Sequence, residues 1–149
     1  MDEVYREAVR ILVVDEDSRL LLFRNSDDSW PRPYWLTPGG GVDAGESDRE
    51  AAARELAEET GLRLPPERLG APVHRETTRY TLHGRRYVQA QRYFLLRAAA
   101  FPVRTDGLDD VERRVVVGHR WWPLPDLAAT GDDFFPADLP ALVTALVHP

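Results

Sequence analysis

Residues 39–62, GGGVDAGESDREAAARELAEETGL, constrain the chain more than any other stretch. Ser47 and Glu50 have the spacing of a capping box, so a helix starts just after Ser47. Alanine and leucine, strong helix formers, follow. Gly61 stands where a left-handed C-cap glycine belongs, which ends the helix near Thr60. Three consecutive glycines, Gly39, Gly40 and Gly41, precede it, and they allow a ligand or carbonyl to approach the backbone closely.

The helix is two-sided. At about 100° per residue, Glu55, Glu58 and Glu59 fall within one arc of about 100°, and Ala51 shares it. Ala52, Ala53, Leu56 and Ala57 form another side, suited to packing on a sheet. Three carboxylates so close repel one another. In a partly dry cleft they would also raise each other's pKa. A hard divalent cation reverses both effects, because it takes oxygen ligands and prefers them ionised. Arg54, one turn before Glu58, can orient that carboxylate and offset charge. Read in isolation, an acidic helix is a solvated face. Glycine loop, acidic arc and arginine together suit metal-assisted phosphoryl chemistry.

The rest of the chain reads as strands and short helices. AVRILVVDEDSRLLLFRN is a hairpin turning over Asp15–Arg19. Asn25–Trp35 is a polar, proline-containing loop, and LRLPPERLGAP is another. VHRETTRYTLHGRRYVQAQRYFLLRA gives two strands around a turn at His83–Arg86. FPVRTDGLDDVERR is a further loop. VVVGHRWWPL is a strand leading to a short helix near Pro125–Ala129. Leu139, Leu142, Val143 and Leu146 have the spacing of a closing helix. The expected class is α+β, a mixed sheet with helices packed on it, in one domain over residues 1–149.

The positions Gly40, Glu46, Arg54, Glu55, Leu56, Glu58, Glu59, Gly61 and Leu62 resemble the signature box of the Nudix (MutT-like) hydrolases, with none departing. YWLTPGGG and RWWPLPDL look like other members more loosely. Thr37 stands where a large apolar residue usually precedes PGG. The resemblance implies an α/β/α sandwich, a divalent cation, Mg²⁺ or Mn²⁺, and hydrolysis of a nucleoside diphosphate linked to another group. It implies Glu58 and Glu59 as principal metal ligands, Glu55 as a further ligand or water-binding carboxylate, and the Gly40 carbonyl as a ligand. Arg54 takes the orienting role and Glu46 an outer supporting one. The base can come from the helix or a distant loop, and Glu112 in DGLDDVE is our candidate beside Asp109 and Asp110. A regulatory Nudix-fold module that binds a nucleotide without turning it over is the alternative. Homodimers are common in the family.

Composition narrows the field. The chain has no cysteine, which excludes disulfides and thiolate chemistry. All 19 basic residues are arginine, so no Schiff-base or P-loop lysine exists. Net charge is −6, which argues against stable nucleic-acid binding. No basic n-region with an apolar stretch opens the sequence and no run suits a bilayer, so the expected setting is cytoplasmic. The partner is then a small nucleotide or nucleotide-sugar. Arg75, Arg92 and Tyr80 on the second hairpin are candidates to touch it, since arginine matches phosphate geometry. Trp35, Trp121 and Trp122 are candidates to stack on a base, with Trp121 and Trp122 on opposite faces if both lie on one strand. The four histidines show no ligand spacing.

Overall fold

The computed structural model describes residues 2–149. In chain order the strands β1 (Glu3–Val14), β2 (Arg19–Asn25), β3 (Tyr34–Leu36) and β4 (Gly39–Gly41) lead into helix α1 (Asp48–Thr60). Strands β5 (His74–Leu82) and β6 (Arg85–Arg97), helix α2 (Asp110–Val115), strand β7 (Val116–Pro123) and helix α3 (Leu124–Ala129) follow. Strand β8 (Asp133–Phe134) and helix α4 (Leu139–Val147) close the chain.

β1 is the spine. It runs parallel to β6 over its whole length, from Glu3↔Arg86 to Val14↔Arg97, and β5 completes that edge as an antiparallel hairpin. The hairpin turns on His83 and Gly84, both at positive φ, so the turn is tighter than His83–Arg86. On its other edge β1 meets β2 only at Val14↔Leu20. The Asp15 carboxylate organises that turn by accepting from the Asp17 and Arg19 amides and from Arg19 Nε. Beyond the turn the two strands part. β4 takes up the free edge of β1, pairing Gly39–Gly41 with Ala8–Arg10, while β2 pairs with β3 and β7. The sheet therefore forks, and the fork opens a cleft beside the glycines.

Alternation along β1 divides the core between the two sheet faces. Val9, Ile11 and Val13 pack with Leu21, Phe94, Leu96 and the Ala51, Ala52 and Leu56 face of α1. Leu12 and Val14 pack with Trp35, Trp122, Leu124, Leu127, Leu139, Val143 and Val147 of α3 and α4. Helices cover both faces, the expected α/β/α sandwich on a mixed sheet.

The boundaries of α1 match the expectation: the Ser47–Glu50 capping box is formed, and Gly61 caps at φ 79°. Three loops hold more structure than expected. The polar loop ends in β3, a 3₁₀ turn spans Pro66–Leu69, and VERRV belongs to α2, which begins with its own Asp109–Glu112 capping box. Trp121 and Trp122 do face opposite cores. Among the described residues no helix is long and apolar enough to cross a membrane.

Candidate functional site

Two of the three acidic residues of α1, Glu55 and Glu59, enter the protein instead of facing water. Glu55 is only 7% exposed because β4 packs on it. Glu59 reaches across to accept the Gly39 amide at 2.8 Å. Helix α2 brings Glu112 to the same place. Carboxylate oxygens of Glu55, Glu59 and Glu112 lie within 4.8 Å of one another.

Their electrostatics follow from that crowding. Burial pushes the Glu55 carboxyl up to about 7, opposed by Arg54 and helped by Glu58 and Glu112. Burial likewise lifts Glu59 well above the ordinary carboxylate range, with Glu55 adding repulsion and the Gly39 amide opposing it. Glu112 is raised by burial first, against its hydrogen bond from the Asp109 amide. Three reluctant acids with oxygen-only donors are the chemistry a hard divalent ion accepts.

Arg54 braces the cluster from the outside. It donates to Glu46 at 2.7 and 2.9 Å, to Glu55 at 3.0 Å, to Glu58 at 3.3 Å and to the Gly41 carbonyl at 2.9 Å. That hydrogen bonding pulls the Glu46 carboxyl below its usual range. Glu58, with a side chain 39% exposed, leans on Arg54 and stands apart from the three clustered carboxylates. Gly40 lies directly against Glu55.

Glu59 and Glu112 of the cluster line a cavity of about 540 Å³ beside the fork of the sheet, and Glu55 stands behind them. Phe23, Trp30, Tyr34 and Phe135 give it an aromatic wall, while Arg6, Arg10, Glu76, Tyr80, Gln89 and Gln91 give it a polar one. A hydrogen-bonded chain runs along the polar wall. Arg6 donates to Tyr80, Tyr80 to Gln89, Gln89 to Gln91 and Gln91 to Glu76, which also accepts from Tyr93 at 2.6 Å. At the other wall Asp27 accepts from Tyr34 and Ser29.

The structure brings Glu55, Glu59 and Glu112 together, with Arg54 and Gly40 in contact, and sets Tyr80 in the cavity. It does not bring Arg75 and Arg92 there. They pair across β5 and β6 on the opposite face, where Arg92 is bound to Asp48 at 2.5 and 2.9 Å and to Glu7. The reason is strand alternation: Gln89, Gln91 and Tyr93 take the cavity side, which leaves position 92 to the α1 side. The tryptophans are also redistributed. Trp35 and Trp122 meet edge to face in the core, Trp121 meets Phe101, and Trp30 lines the cavity instead. Arg10, Trp30 and Phe135 also line the cavity, although the sequence does not single them out. Period-2 alternation from Leu12 and Val14 would have put Arg10 on one face, but nothing local says that this face is hollow.

A sequence profile of the NUDIX domain matches residues 4–142. The chain is 45% identical over 65 residues to the RNA pyrophosphohydrolase of Cereibacter sphaeroides, covering 44% of this chain and 38% of that protein. It is 43% identical over 58 residues to a putative 8-oxo-dGTP diphosphatase of Bacillus subtilis, covering 39% and 36%. It thus spans less than two-fifths of these curated relatives. The MutT protein from Methanosarcina mazei superposes with a TM-score of 0.64 at 22% identity, over 99% of this chain and 96% of that one, a likeness of fold.

Proposed function

The chain belongs to the Nudix family, and on that premise we propose that it hydrolyses a nucleoside diphosphate linked to another group. The observation that carries this reading is the meeting of Glu55, Glu59 and Glu112 oxygens within 4.8 Å, with Glu59 and Glu112 lining a cavity of about 540 Å³. Nudix hydrolases generally use a divalent metal, and Glu55 and Glu59 of this cluster would hold Mg²⁺ or Mn²⁺, with Glu112 beside them. Bound there, the ion supplies charge neutralisation at the phosphoryl oxygens and a more acidic water.

The chain's own residues do the remainder. The aromatic wall of Trp30, Tyr34 and Phe135 takes the nucleoside and excludes water from it. The Gly39 amide fixes the Glu59 carboxylate, and Arg54 fixes Glu55 from behind. Water adds to one phosphorus of the diphosphate while the P–O bond to the bridging oxygen breaks, and the leaving phosphate departs with that oxygen. Glu112 accepts the water's proton. Helix α2 carries it from outside the signature helix, at a position close to both other carboxylates, which supports that role. Glu58, held by Arg54 on the same helix face, adds negative charge beside Glu55. The same reading makes residues 1–149 one catalytic domain with a nucleotide or nucleotide-sugar partner, in the cytoplasm.

A panel of a nucleoside triphosphate, a nucleotide sugar and a dinucleoside polyphosphate with Mg²⁺ and with Mn²⁺, scored by product identity, tests this. Metal-dependent cleavage between phosphorus atoms is the expected result. Binding of these compounds without products would instead support the regulatory module.

A further inference from the structure

We propose that Arg10 and Thr37 form a phosphoryl-binding subsite beside the carboxylate cluster, a deepening that rests on the diphosphate reading above. Arg10 lines the cavity from β1. Its Nε donates to Gln91 Oε1 at 3.2 Å and its Nη1 to the Thr37 carbonyl at 3.1 Å. Both acceptors are neutral. Of the other arginines near the cleft, Arg54 is matched by Glu46, Glu55 and Glu58 and Arg79 by Glu3, while Arg6 donates to the Tyr80 hydroxyl farther along β1, away from Gly39. A half-buried guanidinium hydrogen-bonded only to neutral oxygens, its charge otherwise felt by Glu59, retains donors for an anion.

Thr37 adds an independent sign. It is 2% exposed and lines the same cavity, yet its hydroxyl has no hydrogen-bond partner. Buried hydroxyls are nearly always partnered, so an orphan beside a cavity points to a group that enters with the ligand.

The two residues sit next to the cluster through the backbone. Gly39 pairs with Arg10, and a Cβ on Gly39 would come within 2.9 Å of Arg10 Cα. The Gly39 amide is in turn bound to Glu59. Cation, orphan hydroxyl and carboxylates thus lie along Thr37–Gly39. A phosphoryl group in a diphosphate matches this set: arginine takes two of its oxygens, the threonine hydroxyl takes one, and the neighbouring phosphoryl faces the carboxylates.

The test is calorimetric binding of methylenediphosphonate, a non-hydrolysable diphosphate without a base, in Mg²⁺. Arg10→Gln should weaken it roughly tenfold to a hundredfold, the range of a lost charge-assisted hydrogen bond, and Arg10→Lys should recover part. Thr37→Val should weaken it about threefold to tenfold with no loss in Tm, because the hydroxyl has no protein partner, while Thr37→Ser binds as wild type. Equal affinity of wild type, Arg10→Gln and Thr37→Val would overturn the subsite, as would absence of binding by the wild type. If the wild type binds methylenediphosphonate and the variants lose it while no nucleotide is cleaved, the hydrolase reading fails and the subsite stands. If nucleotides are cleaved and the variants bind unchanged, the reverse holds.

Discussion

A Cβ placed on Gly40 would come within 2.6 Å of Glu55 Oε1 and 2.8 Å of Glu55 Cδ, so the strand and the helix carboxylate share one space. The glycine at the centre of β4 is there for the carboxylate, not for a turn. Gly40→Ala should keep the fold, since the atoms displaced are the end of a side chain. It should push Glu55 out of the cluster and lower kcat/KM on the order of a hundredfold, the usual cost of misplacing a reacting arrangement by about an ångström. Circular dichroism with nucleotide turnover checks it, and wild-type turnover would show that Glu55 need not stand where it does.

Much of this site can be read from residues 39–62, because capping, acidic spacing and the glycines are local. Ser47 and Gly61 set the helix ends, and the wheel sets Glu55 beside Glu59. What the sequence hides is non-local. The burial of Glu55 depends on β4 pairing with β1, and Glu112 reaches the cluster only because residues 110–115 form α2. Arg92 shows the opposite failure. Its residue type suited phosphate, but strand alternation turns it toward Asp48 at the start of α1. Trp30 falls in a stretch the sequence reads only as a polar loop, and it lines the cavity beside Tyr34 and Phe135.

Glu55 gives a pH signature in the ion-free protein. Its folded carboxyl sits at about 7, above the ordinary 4.5, so the folded chain holds a proton that the unfolded chain has released. Stability from this group is therefore greatest below the unfolded value and falls as pH rises from about 4.5 to about 7, on the order of 1–3 kcal/mol. In EDTA, Glu55→Gln should flatten that part of the Tm-against-pH curve relative to wild type. Saturating Mg²⁺ should raise the wild-type Tm most at the alkaline end, where the ion meets an ionised carboxylate. Parallel curves for wild type and variant would remove Glu55 as the source.

Glu59 and Glu112 should separate on different observables. Glu59 is fixed by the Gly39 amide inside the cluster, so Glu59→Gln should cut Mg²⁺ affinity together with turnover, by at least about a hundredfold in kcat. Glu112 acts in our reading as the base, so Glu112→Gln should cut kcat on the order of 10²–10⁴-fold with Mg²⁺ affinity close to wild type. Mn²⁺ binding by electron paramagnetic resonance alongside steady-state kinetics distinguishes them. Equal loss of ion affinity in both variants would make Glu112 a ligand.

Asp48 and Arg92 tie α1 to β6 on the face away from the cavity, and their contribution should be structural only. Asp48 lies in the first turn of α1, where a carboxylate also suits the helix dipole, and Arg92 binds it at 2.5 and 2.9 Å. The Arg92 hydrogen bond holds the Asp48 carboxyl below its ordinary range. That stabilisation is complete above the unfolded value and is lost as pH falls through the depressed folded one. Asp48→Asn should cost about 1–2 kcal/mol near neutrality, discounted because the Asp48 side chain is a third exposed, and lower Tm by a few °C. The difference from wild type should shrink in acid, once both chains lack the charge. Because neither residue lines the cavity or touches the cluster, kcat/KM should stay near wild type at temperatures below the transition. A large loss of turnover without a loss of Tm would mean that this face contributes to the site after all.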